Sequence, residues 1–397
     1  MTARGSAQRG AGERLTAWYA RHARDLPWRR RPDPYATWVS EIMLQQTTVA
    51  AAGPCFERFL SRFPDLRALA GAAEAEVLAV WSGLGYYHRA RRLLRAARLV
   101  LDRHGGELPA ERAELLALPG IGAYTAGAIL SIGHNLPAAA VDGNAARVMA
   151  RLGGIRGDPL RAAARRAIER RVLELMPPGQ ASCFNQALMD LGATVCLPRD
   201  PDCGRCPLRG ACEARRKGLQ SRIPPVRRRP AVVKVRLEAL AVVRPGRGGR
   251  KETLLRRRPP GDILAGMWEL PTAPAKERAG EAARMLARLA GARPPVRAGV
   301  LRHTITRHLL SIEVYRAEPD RPPVRPGAPR AGGRLEGLEP APGAEAAGAA
   351  RRLSGFTGAL GATRWVCLRE AGGGNSASLA LTGATRKAAR LVLGVEG

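Results

Sequence analysis

Four cysteines crowd one short stretch with the spacing C-x6-C-x2-C-x5-C: Cys196, Cys203, Cys206 and Cys212. Prolines and a glycine interrupt the stretch, which predicts a loop that can direct four thiolates at one centre. Thiolate ligands suit zinc or an iron–sulfur cluster. Zinc sites more often use two C-x2-C pairs and only one is present, so the spacing leaves the metal open, with four unrelated cysteines as the further alternative. Three other cysteines are predicted to be free or buried thiols: Cys55, Cys183 and Cys367.

Glu41 is a candidate general acid on a predicted helix. The pair Asp33-Pro34 is typical of a helix N-cap followed by proline at the first helical position, so residues 36–47 are predicted to be helical. Burial would raise the pKa of the Glu41 carboxyl and make it a usable proton donor. A solvated carboxylate is the alternative. Burial is suggested by its apolar neighbours Val39, Ile42 and Met43.

Asp142 is predicted to open a later helix, within Val141-Asp142-Gly143-Asn144. At a helix N-terminus the free amides and the helix dipole favour an ionised carboxylate. A neutral Glu41 beside an ionised Asp142 is the pattern of an acid paired with an electrostatic stabiliser. An aspartate that only caps its helix is the alternative.

A tight turn between two helices is predicted at Leu118-Pro119-Gly120-Ile121-Gly122. Residues 111–118 and 123–130 are good helix formers, Pro119 ends the first helix, and the glycines allow positive φ and close backbone approach. The first amides of the second helix point out of the turn, which suits an anion such as a phosphate. An ordinary helical hairpin is the alternative.

The charge balance suggests a polyanionic partner. The 397 residues carry Lys+Arg 65 against Asp+Glu 34, a net charge of +31. Nearly all the basic residues are arginine, a bias that a GC-rich genome could also produce. No apolar run is long enough to cross a membrane, and residues 1–12 lack the apolar core of a secretion signal. With seven cysteines, an odd number, these features predict a reducing, cytoplasmic compartment.

The chain is predicted to have a helical part and a mixed part. Residues 1–12 are expected to be a flexible tail, residues 13–216 an all-α domain, and residues 217–231 an extended linker. Residues 232–397 are expected to form an α+β domain, with a disordered Pro-, Gly- and Ala-rich insertion at 320–350. Its predicted strands are 232–243, 253–255, 309–315 and 364–368, and its predicted helices lie near 275–290 and 382–394.

In combination these features resemble the A/G-specific adenine DNA glycosylases, the MutY family of the helix-hairpin-helix glycosylase superfamily. The resemblance covers roughly residues 13–318 and 364–394. It is carried by the cysteine loop, the turn and Val141-Asp142-Gly143-Asn144, and by Leu26-Pro27-Trp28-Arg29, Trp38-Val39-Ser40-Glu41-Ile42-Met43-Leu44-Gln45-Gln46-Thr47, Gly83-Leu84-Gly85-Tyr86-Tyr87, Phe184-Asn185-Gln186, Leu254-Leu255-Arg256-Arg257-Arg258-Pro259 and Leu264-Ala265-Gly266-Met267-Trp268-Glu269-Leu270-Pro271.

The resemblance implies a role for each matching residue. A [4Fe–4S] cluster would lie on the four cysteines, and the DNA would present an extruded adenine. Glu41 would protonate the adenine, Asp142 would stabilise an oxocarbenium-like sugar, and Tyr124 and Asn144 would support the pocket. For two of the implied DNA contacts, Leu84 and Tyr86, core packing is the alternative. The implied DNA-binding residues are Arg29, Gln46, Thr47, Leu84, Tyr86, Gly120, Gly122 and Thr125.

The absence of a lysine from the hairpin distinguishes monofunctional from bifunctional members of the superfamily. Bifunctional relatives use a hairpin lysine as an imine-forming nucleophile. Here that position is Tyr124, and residues 1–216 contain no lysine. The resemblance therefore implies a monofunctional enzyme that hydrolyses the N-glycosidic bond of adenine opposite 8-oxoguanine or guanine. A glycosylase for another mismatch, such as a thymine enzyme, and a non-enzymatic metal-stabilised DNA-binding protein are the alternatives.

The second domain resembles the Nudix-like module with which the family reads 8-oxoguanine. The family loop usually has Phe-Ser-His, where this chain has Ile305-Thr306-Arg307, so the candidates for lesion recognition are Thr306, Arg307 and His308. Hydrolases of this type need a helix with clustered carboxylates, and residues 275–291 offer only Glu277 and Glu281, so no hydrolase activity is expected. The resemblance implies a bacterial, nucleoid-associated monomer that binds double-stranded DNA.

Overall fold

The computed structural model describes residues 3–30, 33–159, 161–225, 231–259, 264, 266–305, 307–320, 354, 360, 362–367 and 381–393. The chain divides into two units. The first comprises residues 1–77 and 88–228, and the second comprises residues 78–87 and 229–397. The segment 78–87, which contains Leu84 and Tyr86, therefore groups with the second unit.

The first unit is helical. Helix α5 runs across the boundary into residues 78–87. The helices are α1 Ala3–His22, α2 Pro34–Leu44, α3 Val49–Arg62, α4 Leu66–Gly71, α5 Glu74–Val80, α6 His88–Arg103, α7 Arg112–Ala117, α8 Ala123–Ala128, α9 Gly143–Gly153, α10 Ala162–Leu175, α11 Ala181–Thr194 and α12 Glu213–Arg216.

Helix α2 lies at the centre of this unit, and every side chain from Tyr35 to Met43 is buried. Pro34 begins the helix and the Asp33 carboxylate caps it by accepting from the Ala36 amide at 2.7 Å, as the sequence predicted. The helix packs against α3, α6, α8 and the π-helical turn Ile129–Gly133. A helix enclosed on all sides buries its polar residues as well as its apolar ones, and this places Glu41 in the interior.

Helices α7 and α8 form the predicted hairpin. Helix α7 ends at Ala117, and Gly120 adopts φ 87°, a left-handed conformation that favours glycine. Gly122 is the N-cap of α8. Further along α8, Gly127 packs directly on the backbone that leads into α9, because an added Cβ would lie 2.1 Å from the Ala139 carbonyl oxygen. The close approach of these two segments brings the start of α9 beside the hairpin.

The second unit is built on a seven-stranded sheet with the order β3-β2-β1-β6-β5, in which β4 also pairs with β1 and β7 with β2. Strands β1 and β6 are parallel, and the other pairings are antiparallel. The elements are β1 Val233–Pro245, β2 Lys251–Arg257, β3 Trp268–Glu269, β4 Thr272–Pro274, α13 Glu281–Leu289, β5 Val296–Ile305, β6 His308–Ala317, β7 Thr363–Cys367 and α14 Gly383–Leu393.

The structure confirms the α plus α+β organisation and corrects it in detail. Residues 3–22 form a helix in which Ala11 is buried, where the sequence led us to expect a tail over residues 1–12. The linker begins later than residue 217, because Ile223 is buried against Ala150 and Ala214. The whole of β5 was missed, since its exposed and half-buried residues do not alternate cleanly. The predicted insertion, from residue 321 onward, lies outside the described residues.

None of the helices in the described ranges is both long enough and apolar enough to cross a membrane.

The close contact at Gly127 predicts that a larger residue at this position lowers the stability of the first unit. Gly127→Ala places a methyl group against the Ala139 carbonyl, so the backbone must shift, and we expect the first unit to lose about 1–3 kcal/mol of unfolding free energy. Gly71→Ala in α4 is the matched control, because nothing lies within 4 Å of its Cβ position. Denaturant titration followed by circular dichroism measures both, and equal stability of the two variants would contradict the packing argument.

Candidate active site

Glu41 lies on α2 as predicted, and its side chain is buried. Burial raises the pKa of its carboxyl to about 7. A hydrogen bond from Tyr124 and the charge of Arg29 act to lower this pKa, while the charge of Asp142 raises it further. A carboxyl with a pKa near 7 can give up a proton at neutral pH, as a general acid must.

Tyr124 fixes the orientation of this carboxyl. Its phenol oxygen donates to Oε2 of Glu41 at 2.5 Å. Burial raises the pKa of Tyr124 well above 10, so the phenol keeps its proton and remains the donor. Tyr124 is on the first turn of α8, directly after the hairpin, and the hairpin therefore positions the general acid as well as the backbone.

Asp142 caps α9, as the sequence predicted. Its Oδ1 accepts from the Ala145 amide at 2.6 Å, and its Oδ2 accepts from the Asn144 side-chain amide at 3.1 Å. Its pKa does not follow the expectation for a cap. Burial raises it, and the Ala145 and Asn144 hydrogen bonds oppose that effect without cancelling it. The prediction of a pKa lowered by capping is therefore wrong, because the cap is buried.

Arg29 is held inside the protein by Asp190 of α11. Its two terminal nitrogens donate to the two Asp190 carboxylate oxygens at 2.8 and 2.9 Å, and Asp190 has no exposed side-chain surface. Arg24 binds the same carboxylate at 2.6 Å. The predicted DNA contact of Arg29 would have to compete with this bidentate ion pair. Asp190 was missed by sequence analysis, although an acidic residue within the apolar sequence of α11 is a signal for such a partner.

An open cavity of about 460 Å³ lies in front of the hairpin. The predicted DNA-binding residues Gly120, Gly122 and Thr125 line this cavity, together with Tyr124. Two arginines, Arg92 and Arg165, also line it and were not predicted. The guanidinium groups of these two arginines make this cavity suited to an anion.

The segment after α2 carries two more of the predicted DNA contacts. Gln46 has φ 60°, an uncommon conformation for a side-chain-bearing residue, and Thr47 follows it. Arg89 holds this segment from α6, and sequence analysis missed it. Leu84 is buried and Tyr86 is half-buried with φ 47° in segment 78–87.

The four predicted metal ligands lie together. Cys196, Cys203, Cys206 and Cys212 line one pocket, and Arg151 donates to the Cys196 sulfur at 3.3 Å. Burial raises the pKa of the Cys206 thiol to about 11. Within the part of the chain that the structure describes, no three His, Cys, Asp or Glu side chains are placed to hold a single metal ion, so the four thiols share a pocket without forming a mononuclear site. An all-sulfur donor set fits an iron–sulfur cluster better than a hard cation.

In the second unit the two described lesion-recognition candidates, Arg307 and His308, lie where β6 begins. Thr306 lies outside the described residues, Arg307 is exposed, and His308 begins β6. Glu281 opens α13 and pairs with Lys276 at 2.7 Å, so it does not belong to a cluster of free carboxylates. The buried Glu238 accepts from the Gly280 and Ala283 amides and thereby caps the same helix.

Glu41 of α2, Tyr124 of the hairpin and Asp142 at the start of α9 therefore interact within the first unit. Residues 39–174 match the HhH-GPD superfamily of base excision DNA repair proteins, and residues 240–351 match the NUDIX domain. The adenine DNA glycosylase of Mus musculus is 34% identical over 372 residues, covering 80% of this chain and 72% of that protein. The chain belongs to the adenine DNA glycosylase (MutY) family.

Two further similarities differ in coverage. The adenine DNA glycosylase of Rattus norvegicus is 36% identical over 306 residues, which cover 65% of this chain and 59% of that protein. This chain therefore spans less than two thirds of the rat relative. The solved structure of a thermostable thymine-DNA glycosylase is 28% identical, covers 54% of this chain and 100% of that chain, and has a TM-score of 0.49.

The raised pKa of Glu41 predicts a pH-dependent gain of stability in Glu41→Gln. In the wild type the folded-state pKa of about 7 exceeds the ordinary 4.5, so folding loses free energy as pH rises through this window. The glutamine variant has no such loss. Its stability relative to wild type should therefore rise by up to about 3 kcal/mol between pH 4.5 and 7.5.

Denaturant titrations across this pH range measure the difference. Glu57→Gln is the matched control, since Glu57 is exposed on α3. A Glu41→Gln curve that stays parallel to wild type would contradict the burial of an ionisable Glu41.

Proposed function

We propose that the protein is a monofunctional DNA glycosylase of base excision repair, which hydrolyses the N-glycosidic bond of adenine mispaired with 8-oxoguanine or guanine. One observation carries the proposal: a buried Glu41 whose pKa is raised to about 7, bound at one oxygen by Tyr124 and influenced by the charge of Asp142. Membership of the adenine DNA glycosylase family supports adenine as the base.

The proposed reaction begins with a base taken out of the duplex, because the glycosidic bond is inaccessible within the stack. Glu41 gives its proton to a ring nitrogen of the extruded adenine, which turns the base into a better leaving group. Tyr124 occupies Oε2 of Glu41, so Oε1 is the oxygen that carries the proton to the base. The glycosidic electron pair leaves with the adenine.

Asp142 acts on the sugar in this proposal. As the bond breaks, positive charge develops on the sugar, and a fixed carboxylate beside it lowers the energy of that state. The Ala145 amide and the Asn144 side chain hold the Asp142 carboxylate in place. Water then adds to the anomeric carbon and releases a proton, which leaves an abasic site. No lysine occurs in residues 1–216, so no lysine imine can form on this domain.

The four-cysteine loop is proposed to hold a [4Fe–4S] cluster through Cys196, Cys203, Cys206 and Cys212. When bound, the cluster supplies four metal–thiolate bonds that tie the loop together. The Arg151 guanidinium would then lie beside a bound thiolate, because it already donates to the Cys196 sulfur. Arg151 also binds the Leu197 and Pro198 carbonyls and thereby orients the start of the loop.

The proposed DNA interface uses the hairpin cavity and the segment after α2. Arg92 and Arg165 would neutralise a phosphate at the hairpin. Gln46 and Thr47, with Leu84 and Tyr86, would enter the duplex, and Thr306, Arg307 and His308 would contact the oxidised base. We propose that the protein works as a monomer in the bacterial cytoplasm, associated with the nucleoid.

Adenine release separates this proposal from its alternatives. Wild type should release adenine from duplexes with A opposite 8-oxoguanine or G, and Glu41→Gln should be slower by a factor of about 10²–10⁴ because the proton donor is lost. The wild-type rate should fall as pH rises through about 7, where Glu41 ionises. Single-turnover assays with separated bases measure both effects.

The exposed Glu57→Gln serves as the control and should keep wild-type activity. Release of thymine from T:G duplexes in place of adenine would favour a different glycosylase. Full activity in Glu41→Gln, or efficient borohydride trapping of a covalent enzyme–DNA adduct, would contradict the proposed mechanism.

The cluster has its own test. Purified protein should be yellow-brown with broad visible absorbance, and iron and sulfide should each approach four per chain. Cys203→Ala should lose much of both. A colourless, zinc-loaded wild type would contradict the cluster.

A further inference from the structure

Arg89 is a buried arginine on the first turn of α6, with 4% of its surface exposed. A cation is unfavourable at this end of a helix, where the helix dipole is positive. Burial of its charge adds a further penalty unless acceptors surround it. A residue that is unfavourable for its own helix must be stabilised by something outside that helix.

Four acceptors for Arg89 come from the end of α2 and the segment beyond it. One Arg89 terminal nitrogen donates to the carbonyls of Ile42 at 2.8 Å, Met43 at 3.0 Å and Gln45. The other donates to the Thr47 hydroxyl at 3.1 Å. The carbonyls at the end of a helix have no partner within the helix and carry its negative dipole, so this end of α2 suits a guanidinium.

This contact joins two parts of the proposed site. Ile42 and Met43 directly follow Glu41 in α2, and Gln45 and Thr47 flank Gln46. Gln46 has φ 60°, a conformation that costs free energy in a residue other than glycine unless its neighbours hold it. Arg89 binds the residues on both sides of Gln46 and thereby fixes the direction in which this side chain leaves the backbone.

We propose that Arg89 is a positioning residue, which holds segment 45–47 in the conformation that enters the duplex and keeps the mispaired base extruded. The inference rests on the proposed function and assigns a task to a residue outside the reacting groups. Arg89 itself need not touch the DNA. Because Tyr124 orients Glu41 independently, loss of Arg89 reduces extrusion and leaves the protonation equilibrium of the acid in place.

Base extrusion is measured apart from chemistry in a Glu41→Gln background, with 2-aminopurine beside the target adenine. Its fluorescence rises when the neighbouring base leaves the stack. Arg89→Met keeps the length and apolar stem of the side chain and removes its donors, and we expect the extrusion equilibrium to fall at least tenfold. In the active background, the single-turnover rate per active site should fall by a similar factor, with the pH midpoint unchanged.

Arg95→Met is the matched control, because Arg95 is an exposed arginine on the same helix. It removes the same charge without touching segment 45–47, so its extrusion signal should equal that of Glu41→Gln alone. Arg89→Lys keeps a buried cation but lacks the planar fork, and it should show at least a threefold loss. If Arg89→Met does not fold, the extrusion measurement is made on Arg89→Lys alone.

The outcomes are distinct. A folded Arg89→Met or Arg89→Lys with wild-type extrusion overturns the inference. A fall in activity that is explained by the fraction of active protein, with normal extrusion per active site, assigns Arg89 to stability alone and overturns it too. If wild type releases no adenine, the proposed function fails, while the extrusion measurement still decides the role of Arg89.

Discussion

Removal of the Glu41 carboxyl from water is the constraint on which the proposed chemistry of the first unit depends. A carboxyl on an exposed helix would be ionised at neutral pH and could not donate a proton. The enclosure of α2 by α3, α6, α8 and the turn Ile129–Gly133 changes this, because it leaves the charged form of Glu41 without solvation. Tyr124 then limits the effect, since its hydrogen bond stabilises the carboxylate and prevents a still higher pKa.

The same constraint governs the other buried charges, each of which lies among groups of opposite polarity. Asp190 binds Arg24 and Arg29, and Arg89 binds backbone carbonyls. In the second unit, Glu269 lies between Arg256 at 2.7 Å and Arg258 at 2.6 Å. Removal of one member of such a group leaves a buried charge uncompensated. These groups therefore specify the arrangement of elements more than they add to stability.

Local signals in the sequence were sufficient for much of the site. Asp33-Pro34 located α2, the glycines located the hairpin, and the crowding of the cysteines located their common pocket. What could not be predicted depends on residues far apart in the chain. Arg29 meets Asp190 across 161 positions, and Arg89 meets Ile42 across 47. The direction of the Asp142 pKa shift could not be predicted for the same reason. The capping hydrogen bonds are local in the chain, but the burial that outweighs them is set by tertiary packing.

The parallel pairing of β1 with β6 has a consequence for the order of synthesis. Residues 233–242 pair with residues 308–317, so a growing chain cannot complete this ladder until most of the second unit has been made. The helices of the first unit lie before residue 229 and are made earlier, and the hydrogen bonds within a helix join residues that are close in the chain. Leu237, Ala239 and Ala241 face the core on β1, and their surface stays uncovered until β6 arrives. All of the first unit has therefore been synthesised before the strands that close the sheet of the second unit are complete.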